Sequence, residues 1–233
     1  MLIIDSVSKD LGEFKLRDVS LAIEDSEYFI ILGPTGAGKT ILLETIAGIY
    51  NPDAGKITLN DRDITDVTPK DRNIGMVYQD YMLFPHLTVE ENISFGLKSR
   101  RIDTDFIHNK VQESAELLNI AHLLHRHPGT LSGGEQQRTA IARALVMEPD
   151  ALLLDEPLSA LDVKTRENLR EELARIHEAT KTTIIHITHN FEEVFDLADR
   201  VAVMCKGRVV QVGTPEEIFR RPNSDFVADF VGM

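Results

Sequence analysis

The segment Gly33-Pro34-Thr35-Gly36-Ala37-Gly38-Lys39-Thr40 restricts this chain more than any other. It satisfies G-x-x-x-x-G-K-[ST], a pattern with meaning only between a strand and a helix. Both flanks are present. Tyr28–Leu32 is a short apolar run ending at glycine and reads as a buried strand. Residues 39–47 read as a helix, with Leu42, Leu43 and Ile46 apolar. Glycines let the backbone wrap so that its N–H groups converge on an anion, and the following helix adds the positive end of its dipole. In such a cradle Lys39 reaches the β- and γ-phosphates of a nucleotide, and the Thr40 hydroxyl is a ligand for Mg²⁺. A glycine turn before an ordinary helix is the plainer alternative, and the flanking elements argue against it.

The rest of the pattern is α/β. Lys56–Leu59 reads as a strand with a turn at Asn60-Asp61, and 151–154 as a second buried strand. Residues 163–179 read as a helix with Leu169, Leu173 and Ile176 on one face, and Thr182–Ile187 as a β-branched strand. Residues 201–204 and 209–212 flank a hairpin turn at Lys206-Gly207. Thr214-Pro215-Glu216-Glu217 supplies a cap, a Pro at the first helical position and a capping-box Glu. Between about 89 and 146 helical patterns replace strands. Alternating strands and helices imply a mainly parallel sheet.

Composition narrows the function classes. The 233 residues carry a net charge of −13, which argues against nucleic acid as a partner. The single cysteine, Cys205, sits in an apolar run and fits a reducing compartment. No apolar run approaches the roughly 18 residues of a spanning helix. Work at a membrane would require docking onto another protein there. His122, His125 and His127 read as a solvated helix end rather than a metal site.

Two further motifs carry chemistry. The apolar run Ala151–Leu154 delivers Asp155 and Glu156 at a strand's C-terminal end, where open α/β sheets bind ligands. Neighbours on an extended segment point in opposite directions, so the two carboxylates should have separate roles. Asp155 suits the Mg²⁺ shell, and Glu156 suits the attacking water. Leu131-Ser132-Gly133-Gly134-Glu135-Gln136-Gln137-Arg138 reads as a helix start, with Ser132 as N-cap and Glu135 completing a capping box. Two glycines in a first turn cost about 1 kcal/mol each relative to alanine. Their expected purpose is the approach of an anion to bare N–H groups. One nucleotide with two anion sites on a chain implies a head-to-tail dimer.

With these motifs in place, residues 33–40, 131–138, 151–157 and 159–162 resemble the Walker A, signature, Walker B and D-loop motifs of the ATP-binding-cassette family, in that family's order across the whole chain. Tyr78-Gln79-Asp80 and Leu83–Thr88 resemble its importer branch. The 33–40 loop and His186–His189 are most similar to archaeal molybdate/tungstate importer ATPases. The resemblance implies a RecA-like core (1–83 and 148–233) with an N-terminal antiparallel β portion and a helical insertion (84–147). It implies ATP hydrolysis with Mg²⁺, a homodimer closed by ATP, integral membrane permease subunits, indirectly a solute-binding protein, and a peripheral position on the cytoplasmic face of the membrane. A soluble cassette not coupled to transport, or an importer of another solute, are the alternatives. Gln79 resembles the Q-loop glutamine that touches Mg²⁺ and water. His189 resembles the switch histidine, with His186 structural. Asp162 resembles the D-loop residue of the opposing site and is also an expected N-cap. Tyr81 to Leu87 are expected in the core or in a groove for a permease helix. Leu11 stands where relatives stack adenine on an aromatic, with Phe14 as the alternative platform. The segment 226–233 resembles the point where longer importer ATPases enter a C-terminal regulatory domain; the expectation is that this sequence lacks that domain, either through truncation or because regulation lies elsewhere.

Overall fold

A computed structural model describes residues 1–100 and 102–232; Met233, the last residue of the 226–233 segment, lies outside them. Two sheets organise the chain. The first is antiparallel, in the order β2 (Lys15–Ile23), β1 (Leu2–Asp10), β4 (Ala54–Leu59), β5 (Arg62–Asp63). The second runs β10 (Arg208–Gly213), β9 (Arg200–Cys205), β3 (Tyr28–Leu32), β8 (Thr183–Ile187), β7 (Ala151–Asp155), β6 (Ile74–Val77). Every pairing in it is parallel except the β9–β10 hairpin, which turns at Lys206-Gly207 as the sequence implies.

The period-two alternation of the central strands decides what lies on each face. Tyr28, Ile30, Leu32, Leu152, Leu154 and Ile184 enter one core, covered by helices. Phe29, Ile31, Leu153, Ile185 and Ile187 enter the other, shared with helix α1 (Lys39–Ala47) and the antiparallel sheet. Strands β3, β7 and β8 are buried along their whole length, so they read as continuous apolar runs.

Between β6 and β7 the chain forms α2 (Val89–Ser99), α3 (Thr104–Leu117) and α4 (Gly133–Leu145). Helix α5 (Val163–Thr180) then precedes β8, and α6 (Phe191–Leu197), α7 (Pro215–Arg220) and α8 (Asp225–Val231) complete the fold. Capping boxes start α2, α4 and α7, the last two at the expected Ser132–Glu135 and Thr214–Glu217 pairs. Among the described residues no helix is long and apolar enough to cross a membrane.

The far end of α1 is held by a buried cation. Arg72 is 2% exposed and donates to the carbonyls of Thr45 and Ile46 in the last turn of α1, the first of which also accepts from the C-cap Gly48 N–H. It donates equally to Val67 and Thr65. This guanidinium fixes the helix that carries the glycine loop at its start. Arg72→Met strands these buried acceptors and should destabilise the protein by about 3 kcal/mol. Urea denaturation of the purified variant measures the loss.

Candidate functional site

The glycine loop, Glu156 and His189 follow the C-terminal ends of parallel strands β3, β7 and β8, and Asp155 is the last residue of β7, at the edge where an open α/β sheet binds its ligand. A cavity of about 340 Å³ opens there, lined by Phe14, residues 35–41 and Glu156. A larger one, about 870 Å³, lies at the opposite end of the strands beside Asp25, Asp150 and Thr183. It contains none of the motifs, so size does not identify the site.

Lys39 is largely buried and donates from Nζ to the carbonyls of Gly33 at 2.8 Å and Pro34 at 3.2 Å, folding back over its own loop. Burial pulls its ammonium below the ordinary lysine range, while Glu156 and Asp155 work against that. Gly38 has φ of 97°, and a side chain there would collide with the Phe14 ring, which lies on the loop. The loop is also tied to both sheets. Gly207 donates its N–H to the Ala37 carbonyl at 3.0 Å and accepts from Arg17 on β2 at 2.8 Å.

Asp155 and Glu156 diverge as expected, but by a different route. Strand β7 ends at Asp155, and Glu156 turns into the left-handed region with φ of 46°. A backbone reversal therefore separates the carboxylates, not strand alternation. A non-glycine residue in that region stores strain of the kind found at functional sites. Asp155 Oδ1 accepts from Thr40 Oγ1 at 3.2 Å. Burial pushes the Asp155 carboxyl up, the Thr40 hydroxyl pulls it back, and Glu156 adds to the rise. Glu156 Oε2 lies 3.2 Å from Nδ1 of the exposed His189. The Glu156 backbone is fixed by its N–H donating to Ile187 O on β8 at 3.0 Å. One oxygen pair and one carboxylate–imidazole pair thus stand side by side.

The remaining candidates lie around this centre. Gln79 is exposed, two residues beyond β6 and next to the end of β7. The loop after it has left-handed Tyr81 and Met82, whose carbonyls both accept from Arg143 on α4. Asp162 caps α5 through Thr165 N at 3.1 Å, and the Thr165 hydrogen bonds hold its carboxyl below the usual range. Ser132 and Gly133 are exposed at the start of α4. Gly134 is buried, and a Cβ there would lie 2.8 Å from Thr165 Cγ2. Packing against α5 is thus a second reason for glycine at 134, and Gly133 is the exposed one of the pair. Neither Ser132 nor these glycines line the glycine-loop cavity.

Leu11 does not line it either. The β1–β2 hairpin pairs Asp10 with Lys15, leaving 11–14 as its loop, and it is Phe14 that the loop turns onto Gly38. One neighbour escaped the sequence reading. Glu44 stands on α1 four residues after Thr40 and near Tyr78, whose hydroxyl is pushed up to about 12 by burial and then by the charges of Glu44 and Asp155. The i, i+4 spacing from Thr40 was its only signal.

A phosphate loop, an acidic pair and a histidine on one sheet edge define a P-loop nucleotide hydrolase. Comparison with known proteins narrows this. Residues 16–159 match the family model described as ABC transporter. The chain is 55% identical to the molybdate/tungstate import ATP-binding protein WtpC of Pyrococcus abyssi, over 100% of this chain and 68% of that protein. It is 48% identical to the spermidine/putrescine import ATP-binding protein PotA of Treponema pallidum, over 98% of this chain and 61% of that one. The dimeric post-hydrolysis structure of the ATP-binding cassette MJ0796, bound to ADP and Pi, superposes with a TM-score of 0.80 at 28% identity, covering 92% and 99% of the two chains. The chain belongs to the ABC transporter family, whose ATP-binding cassettes are ATP hydrolases.

If the loop aromatic carries the base, Phe14→Ala weakens ATP binding by about 1–3 kcal/mol, the worth of one stacking contact. Leu11→Ala leaves it unchanged. Titration of each variant with ATP separates the two positions.

Proposed function

We propose that this chain is the ATP-hydrolysing subunit of an importer, working as a head-to-tail pair beneath integral membrane permease subunits. In this reading it sits peripherally on the cytoplasmic face of the membrane. A solute-binding protein delivers molybdate or tungstate from the other side. The solute assignment rests on the 55% identity to WtpC; the 48% relative named for polyamines marks how little of the solute a cassette encodes.

The observation that carries the pairing is the separation of the two anion sites. Lys39 and Thr40 line the loop cavity, while Ser132 and Gly133 open elsewhere on the same chain. A second copy, turned head to tail, brings its 132–133 turn over the first copy's nucleotide. Each ATP is then held between the Gly33–Thr40 loop of one chain and the signature turn of the other. Asp162 stands near that junction, next to Leu161, which packs close to Gly133.

The Thr40 and Asp155 oxygens fit Mg²⁺, a hard cation that takes oxygen ligands and keeps several waters. Asp155 is crowded by Glu156, and a cation relieves the charge that pushes its carboxyl up. Gln79 is the third candidate ligand. When bound, the metal neutralises charge on the β- and γ-phosphate oxygens. The chain's own groups do the rest. The loop N–H groups and Lys39 hold the phosphates. Glu156 orients the attacking water and takes its proton. His189, through Nδ1, holds the Glu156 carboxylate and leaves its other ring nitrogen for the γ-phosphate. Release of phosphate loosens the two chains and resets the permease.

Glu156→Gln should keep ATP affinity, lose turnover by about 10²-fold or more, and accumulate as an ATP-bound dimer. Ser132→Arg should also stop turnover while its own loop still binds nucleotide. Near-normal ATPase activity in Glu156→Gln, or nucleotide affinity lost in Ser132→Arg as badly as in Lys39→Ala, would contradict the scheme. Reconstituted with its permease and solute-binding protein, the wild-type chain should hydrolyse ATP faster with molybdate or tungstate than with spermidine. Stimulation by spermidine alone would move the solute assignment to polyamines.

A further inference from the structure

A polar cluster lies beneath the end of β8, and the chemistry above makes no use of it. His186 on β8 is fully buried, Tyr28 on β3 is 1% exposed, and Glu193 in the first turn of α6 is 3% exposed. Tyr28 Oη stands 2.9 Å from His186 Nδ1, and His186 Nε2 stands 3.4 Å from Glu193 Oε2. If Nδ1 accepts from the Tyr28 hydroxyl, the imidazole carries a proton on Nε2, facing the carboxylate. That second contact is longer than a well-formed hydrogen bond: among the described residues the buried Nε2 has no hydrogen-bond partner, and the Glu193 carboxylate faces it as a charge neighbour.

The Thr188 hydroxyl and the Arg166 guanidinium lie close enough to this carboxylate to bear on its charge, and each is bonded into one loop of the site. Burial pushes the Glu193 carboxyl up, but His186, the Thr188 hydroxyl and the Arg166 charge together outweigh it and hold the group below its ordinary range. Thr188 Oγ1 accepts from Asn190 N at 3.0 Å, closing the 188–190 loop around His189. Arg166 donates to Leu158 O at 3.2 Å and Leu161 O at 2.9 Å, fixing the turn that precedes Asp162. Stability alone explains such a cluster poorly. Buried charge pairs are costly to desolvate, and apolar side chains of the same volume often serve stability as well. What the cluster supplies is register between β8, the 188–190 loop and the 158–162 turn.

We propose that Glu193, paired with His186, is a positioning residue for hydrolysis: it fixes the loop bearing His189 relative to the turn bearing Asp162. The inference rests on the reading of Glu156 and His189 as the hydrolytic pair. Glu193 touches neither nucleotide nor water. Its effect is on the placement of His189 and not on the phosphate loop.

The test is a split between turnover and binding. In Glu193→Gln and His186→Asn, kcat should fall about tenfold or more while the Kd for ATP stays within about twofold of wild type. The Tm should fall by only a few degrees, because the shape of the cluster is kept. A folded Glu193→Gln with wild-type kcat overturns the proposal. So does a parallel loss of kcat, ATP affinity and Tm, which signals a general loss of structure. Should Glu193→Gln not fold, Thr188→Val removes the hydroxyl link at nearly constant volume, and retained kcat there overturns the proposal equally. Glu156→Gln, assayed alongside, separates the two levels. An inactive Glu156→Gln beside a fully active Glu193→Gln defeats this inference alone. An active Glu156→Gln defeats the reading beneath it.

Discussion

The parallel pairing of β3, β8 and β7 is the constraint on which the rest depends. Tyr28 to Ile31 run beside Ile184 to Ile187, which run beside Leu152 to Asp155. Because the strands are parallel, their C-terminal ends share one edge, and three chain segments distant in sequence deliver their polar residues to it. The pairing is also what fixes Glu156, whose N–H is the next donor to β8 after the strand has ended. Two apolar cores, one on each face, hold these strands flat against each other. The cost of burying three strands on both sides is a sequence with no polar residue except His186 and the strand-end residues, and this is why the few charges that do occur are informative.

Much of the fold and of the site was legible because the relevant signals are local. The glycine loop lies between a strand and a helix in one stretch of 20 residues, 28–47. Asp155 and Glu156 stand out against an apolar run. The capping boxes at Ser132 and Thr214 are patterns of four residues and formed as written. What was hidden depends on long-range geometry. Whether Leu11 or Phe14 meets the loop is decided by hairpin register, and β1 pairs with β2 through two irregular steps that no propensity encodes. At Gly134 a packing reason for glycine stands beside the expected anion role, because Thr165, 31 residues later, fills the space where a side chain would be. Glu44 and Glu193 read as ordinary helix charges until the fold brings Tyr78 to one and His186 to the other.

Cations with several backbone acceptors recur at the joints. Arg72 holds the end of α1, Arg143 holds the loop after Gln79, and Arg166 holds the turn before Asp162. In each case a planar guanidinium with fixed donors satisfies carbonyls that irregular backbone leaves unpaired. Lysine has the charge but not the fork, so these three positions are sensitive to a substitution that preserves charge. The net charge of −13 therefore coexists with a small set of arginines whose work is internal.

The left-handed turn at Glu156 has a consequence for how such a site can vary. The two carboxylates are adjacent in the chain, yet each is addressed by its own backbone geometry: one as the last residue of a strand, the other as the residue that leaves it. Exchanging their order would not exchange their tasks, since the longer side chain would then crowd Thr40 and the shorter would fall short of His189. Deleting one residue from β7 would not shift the pair along the edge but would dissolve it, because alternation would turn Asp155 to the opposite face. The chemistry is thus locked to a single reading frame of the strand, and drift can reach it only through residues that leave the strand's length alone.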